Sequence, residues 1–489
     1  MSGNAGSVSS GEVGTPTLEV SVSIDEAAPA DLSARPATTA PTLLHRPGRW
    51  IDNWDAEDTT QWNTVGKSIA KRNLQWSIMC EFLGFVVWQL WSIVVVYLPA
   101  AGFTLSTSQI FWLISMPSLV GATLRIPYTF MVPRFGGRNW TVISALLLLI
   151  PTIGLAVCVS NPDTPFGVLL AVAALAGFGG GNFASSMANI TYFYPAREKG
   201  WALGLNAAGG NLGAAVAQLV VPIAVALGAA ATLNLPLAGW LWVPLILIAA
   251  FCAWKYMDNL SNAKSDIAGS LAALREPHFW IMSLLYIGTF GSFIGFAGVF
   301  PKLIVDSFPA FSTLAMGPVT LSLAFLGPLV GSLARPFGGR LADRFGGALI
   351  TVAAFAVMAA VALTVVWTLP LANFWLFLGL FLVLFAAAGT GNGATYRMIP
   401  IIFAVRGAVA GQTDLRESVS TARKSAAALG LISAIGAYGG FLIPQVLNAS
   451  KGASGSYDFA FYGFVGGYVL MLVVTWFFYL RRSSTLGKV

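Results

Sequence analysis

Long apolar runs fill the chain from Trp76 almost to the C-terminus. Each run has about 20 residues, the length that a helix needs to cross the hydrocarbon core of a bilayer. Short polar segments rich in Gly, Pro, Lys and Arg separate the runs. The pattern predicts an all-α membrane protein with 12 transmembrane helices, near residues 75–99, 107–132, 140–160, 166–193, 201–227, 239–257, 279–303, 316–340, 348–369, 372–398, 425–447 and 458–480.

Two breaks in this pattern divide the chain into regions. Residues 1–74 are rich in Ser, Gly, Pro and Ala and lack the apolar stretch of a secretory signal, so we expect a disordered cytoplasmic tail. A polar segment at 258–278, expected to be a cytoplasmic linker, separates two sets of six predicted spans. The sequence therefore predicts an N-terminal six-helix half at 75–257, a C-terminal six-helix half at 279–480, and a short cytoplasmic tail at 481–489.

The composition agrees with a membrane chain and narrows its chemistry. Of the 489 residues, 56% are hydrophobic and 10% are charged, whereas about a quarter of the residues in a soluble domain are charged. The three cysteines fall inside apolar runs and the two histidines, His45 and His278, do not cluster, so we expect no disulfide framework, metal site or cofactor. Nothing supplies a nucleophile, a base or a cofactor loop. We therefore expect neither an enzyme nor a nucleic-acid partner.

The basic residues of the predicted loops favour one side of the membrane. If the N-terminus is cytoplasmic, the outer loops contain only Lys302 and Lys451, and the other Lys and Arg residues of the loops lie inside. Basic residues accumulate in cytoplasmic loops. We therefore predict that both termini are cytoplasmic.

Several short motifs occur once in each half. A single constant offset relates the motifs of spans two to four to their counterparts, and the offset is somewhat larger for span five because the loop after span ten is longer. Such a repeat, with halves related by an axis along the membrane normal, suggests the major facilitator fold, with its site at the midplane between two pseudo-symmetric halves. The paired motifs are Arg125 and Arg335, 134–137 and 344–347 (Arg-Phe-Gly-Gly), 179–182 and 389–392 (Gly-Gly-Gly-Asn and Gly-Thr-Gly-Asn), and 202–205 and 428–431 (Ala-Leu-Gly-Leu).

Three charged residues lie inside predicted spans, away from the span ends. Glu81 is the one acid, and Arg125 and Arg335 hold equivalent positions in spans two and eight, so the two arginines should face each other across a central cavity. A guanidinium keeps its proton when buried, and an unpaired buried charge is costly. A small anion between them would balance the charge. Flat, singly charged nitrate and nitrite present oxygens that a guanidinium can bind bidentately. The alternative is that each arginine snorkels or braces the cytoplasmic gate.

Spans five and eleven are rich in glycine. Small residues four apart on one helix face allow helices to approach closely and slide. Packing alone explains the glycines, but it does not explain Asn206 and Asn211, whose amides could hydrogen-bond an anion. Aromatic candidates for the same site are Phe183, after the repeated Gly-Asn of span four, and Tyr286 and Phe290, which share a face of span seven. The glycines are Gly204, Gly209, Gly210 and Gly213 in span five, and Gly430, Gly436, Gly439 and Gly440 in span eleven.

At these motifs the sequence resembles the nitrate/nitrite porter family of the major facilitator superfamily. The resemblance extends over about residues 75–480 and implies that Arg125 and Arg335 hold the anion, that Phe183 stacks on it and that Asn211 contacts it. Tyr286 and Phe290 occupy the family's aromatic positions in span seven. The motifs that carry the resemblance are 125–128 (Arg-Ile-Pro-Tyr), 181–190 (Gly-Asn-Phe-Ala-Ser-Ser-Met-Ala-Asn-Ile), 199–206, 288–296 and the span-eleven stretch ending at Gly440.

The resemblance also implies how the molecule moves and where it resides. The glycine-rich stretches of spans five and eleven would rock past one another during alternating access. Loops 133–138 and 339–347 resemble the superfamily's gating motif, in which basic side chains and an acid pair across the cytoplasmic face. The corresponding residues are Arg134, Arg138, Asp343 and Arg344. We expect a monomer in a prokaryotic inner membrane.

Two transport modes are open, proton-coupled nitrate uptake and nitrate/nitrite exchange. A carboxyl group buried in an apolar span favours its protonated form, which suits a proton carrier, so we predict proton-coupled uptake through Glu81. The alternative is an antiporter in which Glu81 pairs with a nearby polar group. Alternatives from other classes are an anion channel, which needs a continuous polar pore, and a transporter-like nitrate sensor.

Overall fold

The computed structural model of the chain describes residues 43–226, 233–264, 272–316, 319–409, 428–481 and 486. Within these ranges, eleven helices are long and apolar enough to cross a membrane. A further helix of 20 residues stands at the place of the predicted eighth span. The twelve are α1 Thr59–Val94, α2 Thr107–Thr129, α3 Gly137–Cys158, α4 Phe166–Phe193, α5 Ala196–Ala226, α6 Leu237–Tyr256, α7 Pro277–Ser307, α8 Leu326–Phe345, α9 Gly347–Leu371, α10 Phe374–Val409, α11 Ala428–Ser454 and α12 Asp458–Leu480.

The prediction of a helical membrane protein is confirmed, with two shifts at span ends. Helix α1 begins at Thr59, well before the start predicted near residue 75. The predicted eighth span, 316–340, is instead a hairpin of β4 (Leu314–Met316) and β5 (Val319–Leu321) followed by α8. Helix α8 carries four charged residues from Arg335 onwards, which makes it less apolar than the other helices. Hydropathy alone therefore places its ends poorly.

Glycines at equivalent positions make the same turn in both halves. Gly136 has φ 87° and ψ 149°, and Gly346 has φ 92° and ψ 137°. A side chain is strongly disfavoured at such angles, whereas glycine adopts them readily. Gly136 ends a short helix, Met131–Phe135, just before α3, and Gly346 lies between α8 and α9. The repeat read from the sequence is thus present in the backbone.

The two six-helix halves meet along equivalent helix pairs. Helix α2 of the first half packs against α11, and the pair that corresponds to them in the repeat, α8 and α5, also packs together. Helix α1 also contacts α7. Within each half, α1 packs against α4 and α5, and α8 packs against α10. A site formed by residues of α2, α4, α7 and α8 therefore lies at the interface between the two halves.

Residues 43–58 form an N-terminal strap on the first half. Strand β1 (His45–Arg46) pairs antiparallel with β2 (Trp50–Ile51), and β2 pairs in parallel with β3 (Asn259–Leu260), just after α6. The Trp54 indole is buried and donates a hydrogen bond of 3.1 Å to the Tyr192 carbonyl at the end of α4. The strap therefore ties the start of the interhalf linker to the helix ends of the first half.

Asp258 is the centre of the contacts between α1 and this linker. Its carboxylate is 2% exposed and accepts hydrogen bonds from Arg49 and Arg72, each at 2.7 Å, and from Asn73 at 2.9 Å. The two arginines are 37% exposed, so the positive charges keep contact with water while the negative charge is buried between them. The hydrogen bonds and the two positive charges together offset the cost of burying the carboxylate charge.

The prediction of a disordered tail is wrong for residues 43–74. This segment forms the strap and the first turns of α1. Its overall composition is polar, but Trp54 and Trp62 are 4% and 1% exposed, and such large apolar side chains offset the cost of ordering the backbone. Residues 1–42 lie outside the described residues.

We expect Asp258→Ala to destabilise the protein, because it leaves Asn73 and two arginines without their acceptor, at a cost of about 1–3 kcal/mol. The midpoint of thermal unfolding of the purified protein in detergent should fall by several degrees. Asp52→Ala is the matched control. Its carboxylate pairs with Arg46, which is 56% exposed, and an exposed ion pair contributes only about 0–1 kcal/mol. Equal midpoints for Asp258→Ala and wild type would contradict this role.

Candidate functional site

Arg125 lies fully buried at the centre of the interface between the halves. Its Nε donates to the Gly180 carbonyl at 3.0 Å, within the first half, and its Nη1 donates to the Ser433 carbonyl at 3.0 Å, on α11 of the second half. The guanidinium carbon lies 4.4 Å from the ring centroid of Phe183 and 4.9 Å from that of Phe290. Arg125 therefore contacts both halves and two aromatic rings.

Arg335 approaches the same ring from the second half. It is 5% exposed, and its guanidinium carbon lies 5.7 Å from the Phe183 centroid and 5.4 Å from that of Tyr396. Its Nη2 stands 3.5 Å from the Tyr286 hydroxyl. As predicted from the repeat, the structure brings the two arginines together, on either side of the midplane between the halves.

The predicted aromatic residues form one stack across the interface. The rings of Phe183 and Phe290 are 6.0 Å apart at 28°, and those of Phe290 and Tyr286 are 5.5 Å apart at 22°. Phe290 belongs to a π-helical turn, Ile287–Gly291, inside α7. Such turns often occur at functional sites because they re-aim side chains within a helix. The turn places Phe290 against the Phe183 ring.

The charge of the two arginines is not balanced by any carboxylate that pairs with them. Among the described residues, neither arginine forms an ion pair. One buried nitrogen on each, Nη2 of Arg125 and Nη1 of Arg335, has no hydrogen-bond partner in the described structure. Unsatisfied buried donors are costly and uncommon. The site can therefore accept an anion that takes hydrogen bonds from both guanidiniums, with the rings of Phe183 and Phe290 beside it.

Two asparagines of α5 differ in their surroundings. Asn211 is buried and stays a predicted ligand, which would bind an anion through the N–H groups of its amide. Asn206 is different, because its amide nitrogen donates to Glu81 at 2.8 Å and to Ser186 at 2.7 Å. The predicted role of Asn206 as an anion ligand is not supported, since its donor group is already engaged by an acid.

Glu81 lies in α1 among neutral polar groups. Its side chain is 1% exposed, and its Oε2 accepts hydrogen bonds from Ser186 and Asn206. It forms no ion pair in the described structure, yet it is close enough to interact electrostatically with Arg125 and Arg335. The acid is therefore a neighbour of the arginine pair without neutralising it. Among the described residues, no group of three or more His, Cys, Asp or Glu side chains could hold a metal ion.

Four of the signature glycines pack against helices of their own half. A Cβ atom on Gly209 would lie 2.5 Å from Ile78, and one on Gly213 would lie 2.2 Å from the Phe82 carbonyl, both on α1. A Cβ on Gly436 would lie 2.3 Å from Tyr286, and one on Gly439 would lie 2.3 Å from Gly291, both in α7. These four glycines thus have their closest neighbours on the first helix of their own half, rather than on the other signature.

The remaining signature glycines fall into two groups. A Cβ on Gly210 would meet Glu81, and one on Gly440 would meet Ser118 of α2, in the opposite half. Gly204 has open space around it, and Gly430 has only ordinary contact distances to Thr129. The glycines therefore permit close packing of α5 on α1 and of α11 on α7 and α2, because a methyl group at the close positions would collide with backbone or with a buried side chain.

Among the described residues, the predicted gating residues have their partners within their own halves. Asp343 forms an ion pair with Arg397 of α10, in its own half. Arg138 donates to the Trp254 carbonyl at 2.6 Å, on α6 of its own half. The guanidiniums of Arg134 and Arg344 lie over the rings of their neighbours Phe135 and Phe345. Asp343 thus pairs with a basic side chain of a neighbouring helix, and the gating role of these residues stays a prediction.

Three residues of the site were not predicted from the sequence. Tyr396 faces Arg335, Trp88 faces Arg125 at 5.4 Å, and Ser186 binds Glu81. Ser186 and Tyr396 are separated by the same offset as the two arginines, so the repeat that identified the arginines also relates these two positions. Trp88 gave no signal, because it is one of several tryptophans in apolar runs.

Comparisons with known proteins agree with this architecture. Residues 80–444 match the model of the Major Facilitator Superfamily. The chain is similar to a D-xylose-proton symporter, with a TM-score of 0.61 and 16% identity, covering 83% of this chain and 97% of that one. It is also similar to the xylose transporter XylE from E. coli in a partially occluded inward-open conformation, with a TM-score of 0.58 and 15% identity over 84% of this chain and 98% of that one. These two likenesses concern the fold.

Similarity in sequence identifies the family more narrowly than similarity in fold. The chain is 42% identical to the nitrate/nitrite transporter NarU of Escherichia coli strain K12, over 88% of this chain and 96% of that one. It is 37% identical to the probable nitrate/nitrite antiporter NarK2 of Thermus thermophilus, over 89% of this chain and 98% of that one. Since the superfamily model and these relatives all span most of its length, the chain belongs to the nitrate/nitrite porter family of the major facilitator superfamily.

Proposed function

We propose that the protein carries nitrate and nitrite across the membrane by alternating access, with Arg125 and Arg335 as the anion site. The observation that carries this proposal is that both buried guanidiniums lie beside one ring, with their carbons 4.4 and 5.7 Å from the Phe183 centroid, and lack an ion-pair partner among the described residues. Each also has one buried donor without an acceptor. A small oxyanion supplies the missing negative charge and the missing acceptors together.

The shape of the site supports a flat anion. The oxygens of nitrate and nitrite accept N–H bonds from guanidiniums, and hydrogen bonds to charged groups contribute about 1.5–3 kcal/mol each. The rings of Phe183 and Phe290 are stacked with their centroids 6.0 Å apart, and their planar faces lie beside the guanidiniums. A larger substrate would have to displace this stack. Asn211, through the N–H groups of its amide, and Tyr286, next to Arg335, are the proposed accessory ligands.

Alternating access requires the halves to separate at one face at a time. Apart from the Arg125–Ser433 and Thr123–Tyr438 bonds near the site, the polar bonds described between the halves lie in the parts of the helices far from Gly136 and Gly346. Gln445 of α11 donates to Ser115 of α2 at 2.7 Å, and Gln218 of α5 donates to the Ala297 carbonyl of α7 at 2.6 Å. The predicted gating residues near Gly136 and Gly346 pair only within their own halves. This distribution supports a conformation whose site opens towards the gating-motif face.

For the transport mode, we propose proton-coupled uptake with Glu81 as the proton carrier. Glu81 is buried without a basic partner and interacts with both arginines. Protonation removes its negative charge, which strengthens the positive field acting on the anion, so binding of a proton and binding of an anion favour each other. Exchange of nitrate for nitrite is the second candidate, favoured by the antiporter name of the Thermus relative. We also propose that the protein is a monomer in a prokaryotic inner membrane, with both termini cytoplasmic.

We expect Arg125→Lys to lower the apparent affinity for nitrate at least about tenfold, because an ammonium cannot replace the bidentate contact or hold the bonds to Gly180 and Ser433. The measurement is nitrate uptake by purified protein in vesicles loaded with nitrite. Arg46→Lys, in the exposed strap, controls for a general effect of the substitution. Wild-type uptake kinetics in Arg125→Lys would contradict the proposed site. Nitrate binding without any flux in the wild type would favour the sensor, and steady single-channel currents would favour the channel.

We expect Glu81→Gln to abolish nitrate uptake driven by a pH gradient, since glutamine keeps the hydrogen bonds but cannot carry a proton. Nitrate/nitrite exchange without a gradient should persist. The measurement compares uptake into acid-outside vesicles, with and without internal nitrite, for the variant and the wild type. Uptake that still follows the pH gradient in Glu81→Gln would rule out Glu81 as the carrier. Wild-type uptake only with internal nitrite would make the protein an exchanger.

A further inference from the structure

The carboxyl group of Glu81 is satisfied on one oxygen and not on the other. Its Oε2 accepts from Ser186 Oγ at 2.5 Å and from Asn206 Nδ2 at 2.8 Å. Its Oε1 is buried and has no hydrogen-bond partner among the described residues. The Ser186 hydroxyl is itself held by the Ser77 hydroxyl at 2.8 Å and by Asn206 at 2.7 Å. Three neutral side chains therefore fix the position of Oε2.

In the amide group of Asn206, too, one polar atom forms hydrogen bonds and the other has no described partner. Its Nδ2 is engaged, whereas its Oδ1 is buried and has no partner in the described part of the chain. Asn206 and Gly210 stand one turn apart on α5, and a Cβ atom at Gly210 would lie 2.4 Å from Glu81 Oε1. The unpaired carboxyl oxygen thus lies against the face of α5 that carries the unpaired amide oxygen. Two acceptors share this small volume without a donor, although unsatisfied buried acceptors are costly.

A single proton on Glu81 would give both unpaired oxygens, Glu81 Oε1 and Asn206 Oδ1, a hydrogen bond. A neutral carboxylic acid and a primary amide can form two hydrogen bonds in a ring, with the amide N–H donating to the acid carbonyl and the acid O–H donating to the amide carbonyl. The first of these bonds is present. The second needs a hydrogen on Oε1, supplied when a proton from water forms an O–H bond there and lost when that proton returns to water.

We propose that Asn206 and Ser186 are positioning residues for the transported proton, with Asn206 Oδ1 receiving the hydrogen bond of protonated Glu81 and Ser186 holding Oε2. This inference rests on the proposed role of Glu81 as proton carrier and deepens it. It also gives the glycine at 210 a specific purpose, because a methyl group there would displace Oε1. Helix α5 packs against α8, which carries Arg335, so the helix that senses the proton also touches the helix that holds the anion.

Infrared difference spectra between acidic and alkaline samples of the purified full chain test this directly. The wild type should show a carboxylic-acid carbonyl band that is absent in Glu81→Gln. Ser186→Ala and Asn206→Leu each remove a donor to the acid carbonyl, so the band should move to higher wavenumber in both. Ser186→Thr keeps a hydroxyl donor at this position, so its carbonyl band should stay at the wild-type wavenumber. Ser185→Ala is the matched control, because Ser185 Oγ donates only to the Asn182 carbonyl of its own helix among the described contacts, and its band should not move.

Transport provides a second readout. Ser186→Ala removes a donor that favours the charged carboxylate, so half-maximal pH-driven uptake should shift to higher pH by about one unit, from a charge-assisted bond. A band that is lost in Glu81→Gln but unmoved in both Ser186→Ala and Asn206→Leu would overturn the positioning role while leaving proton coupling intact. A wild type without pH-driven uptake would instead remove the proposed proton coupling, and nitrate/nitrite exchange would separate that result from a failure of anion transport.

Discussion

Arg125 and Arg335 retain their positive charge in every environment that a folded protein offers, because a guanidinium does not release its proton. Placing two such groups on either side of one phenylalanine ring, away from water, is unfavourable unless something negative joins them. Much of the surrounding structure follows from this constraint. The rings of Phe183, Phe290 and Tyr396 present their negative faces to the guanidiniums, and backbone carbonyls take the N–H groups that point away from the cavity. These contacts reduce the charge imbalance but do not remove it.

Glu81 shows how the same constraint acts on a nearby acid. A direct ion pair between Glu81 and an arginine would neutralise the site and compete with any anion. The structure instead holds the carboxyl group with Ser186 and Asn206, two neutral residues, at a distance where it still interacts with both arginines. The acid can then modulate the field in the cavity without occupying it. Glycine at 210 makes this placement possible, because the carboxyl oxygen takes the space of a side chain on α5.

The sequence allowed the architecture and the centre of the site to be predicted, for identifiable reasons. Apolar runs of bilayer length predict the helices that cross the membrane, and the repeat alone places Arg125 and Arg335 at equivalent positions. The packing neighbours of each helix were harder to predict from the sequence. The spacing of the glycines in α5 predicts that one face of the helix is small, but it does not show which neighbouring helix meets that face. The strap was missed because averaged composition hides a few buried tryptophans. Asn206 was taken for an anion ligand because sequence cannot tell which polar neighbour engages an amide.

The hydrogen bond from Arg125 Nη1 to the Ser433 carbonyl has a consequence for the energetics of an empty carrier. This bond joins a guanidinium of the first half to the backbone of the second, so any movement that separates α2 from α11 must break it. An empty protein would then expose a further unsatisfied donor on an already uncompensated charge, which raises the barrier to reorientation. A bound anion supplies replacement acceptors and lowers that barrier. The same guanidinium thus makes reorientation of the empty carrier the slow step of proton-coupled uptake, a step that nitrate/nitrite exchange does not need.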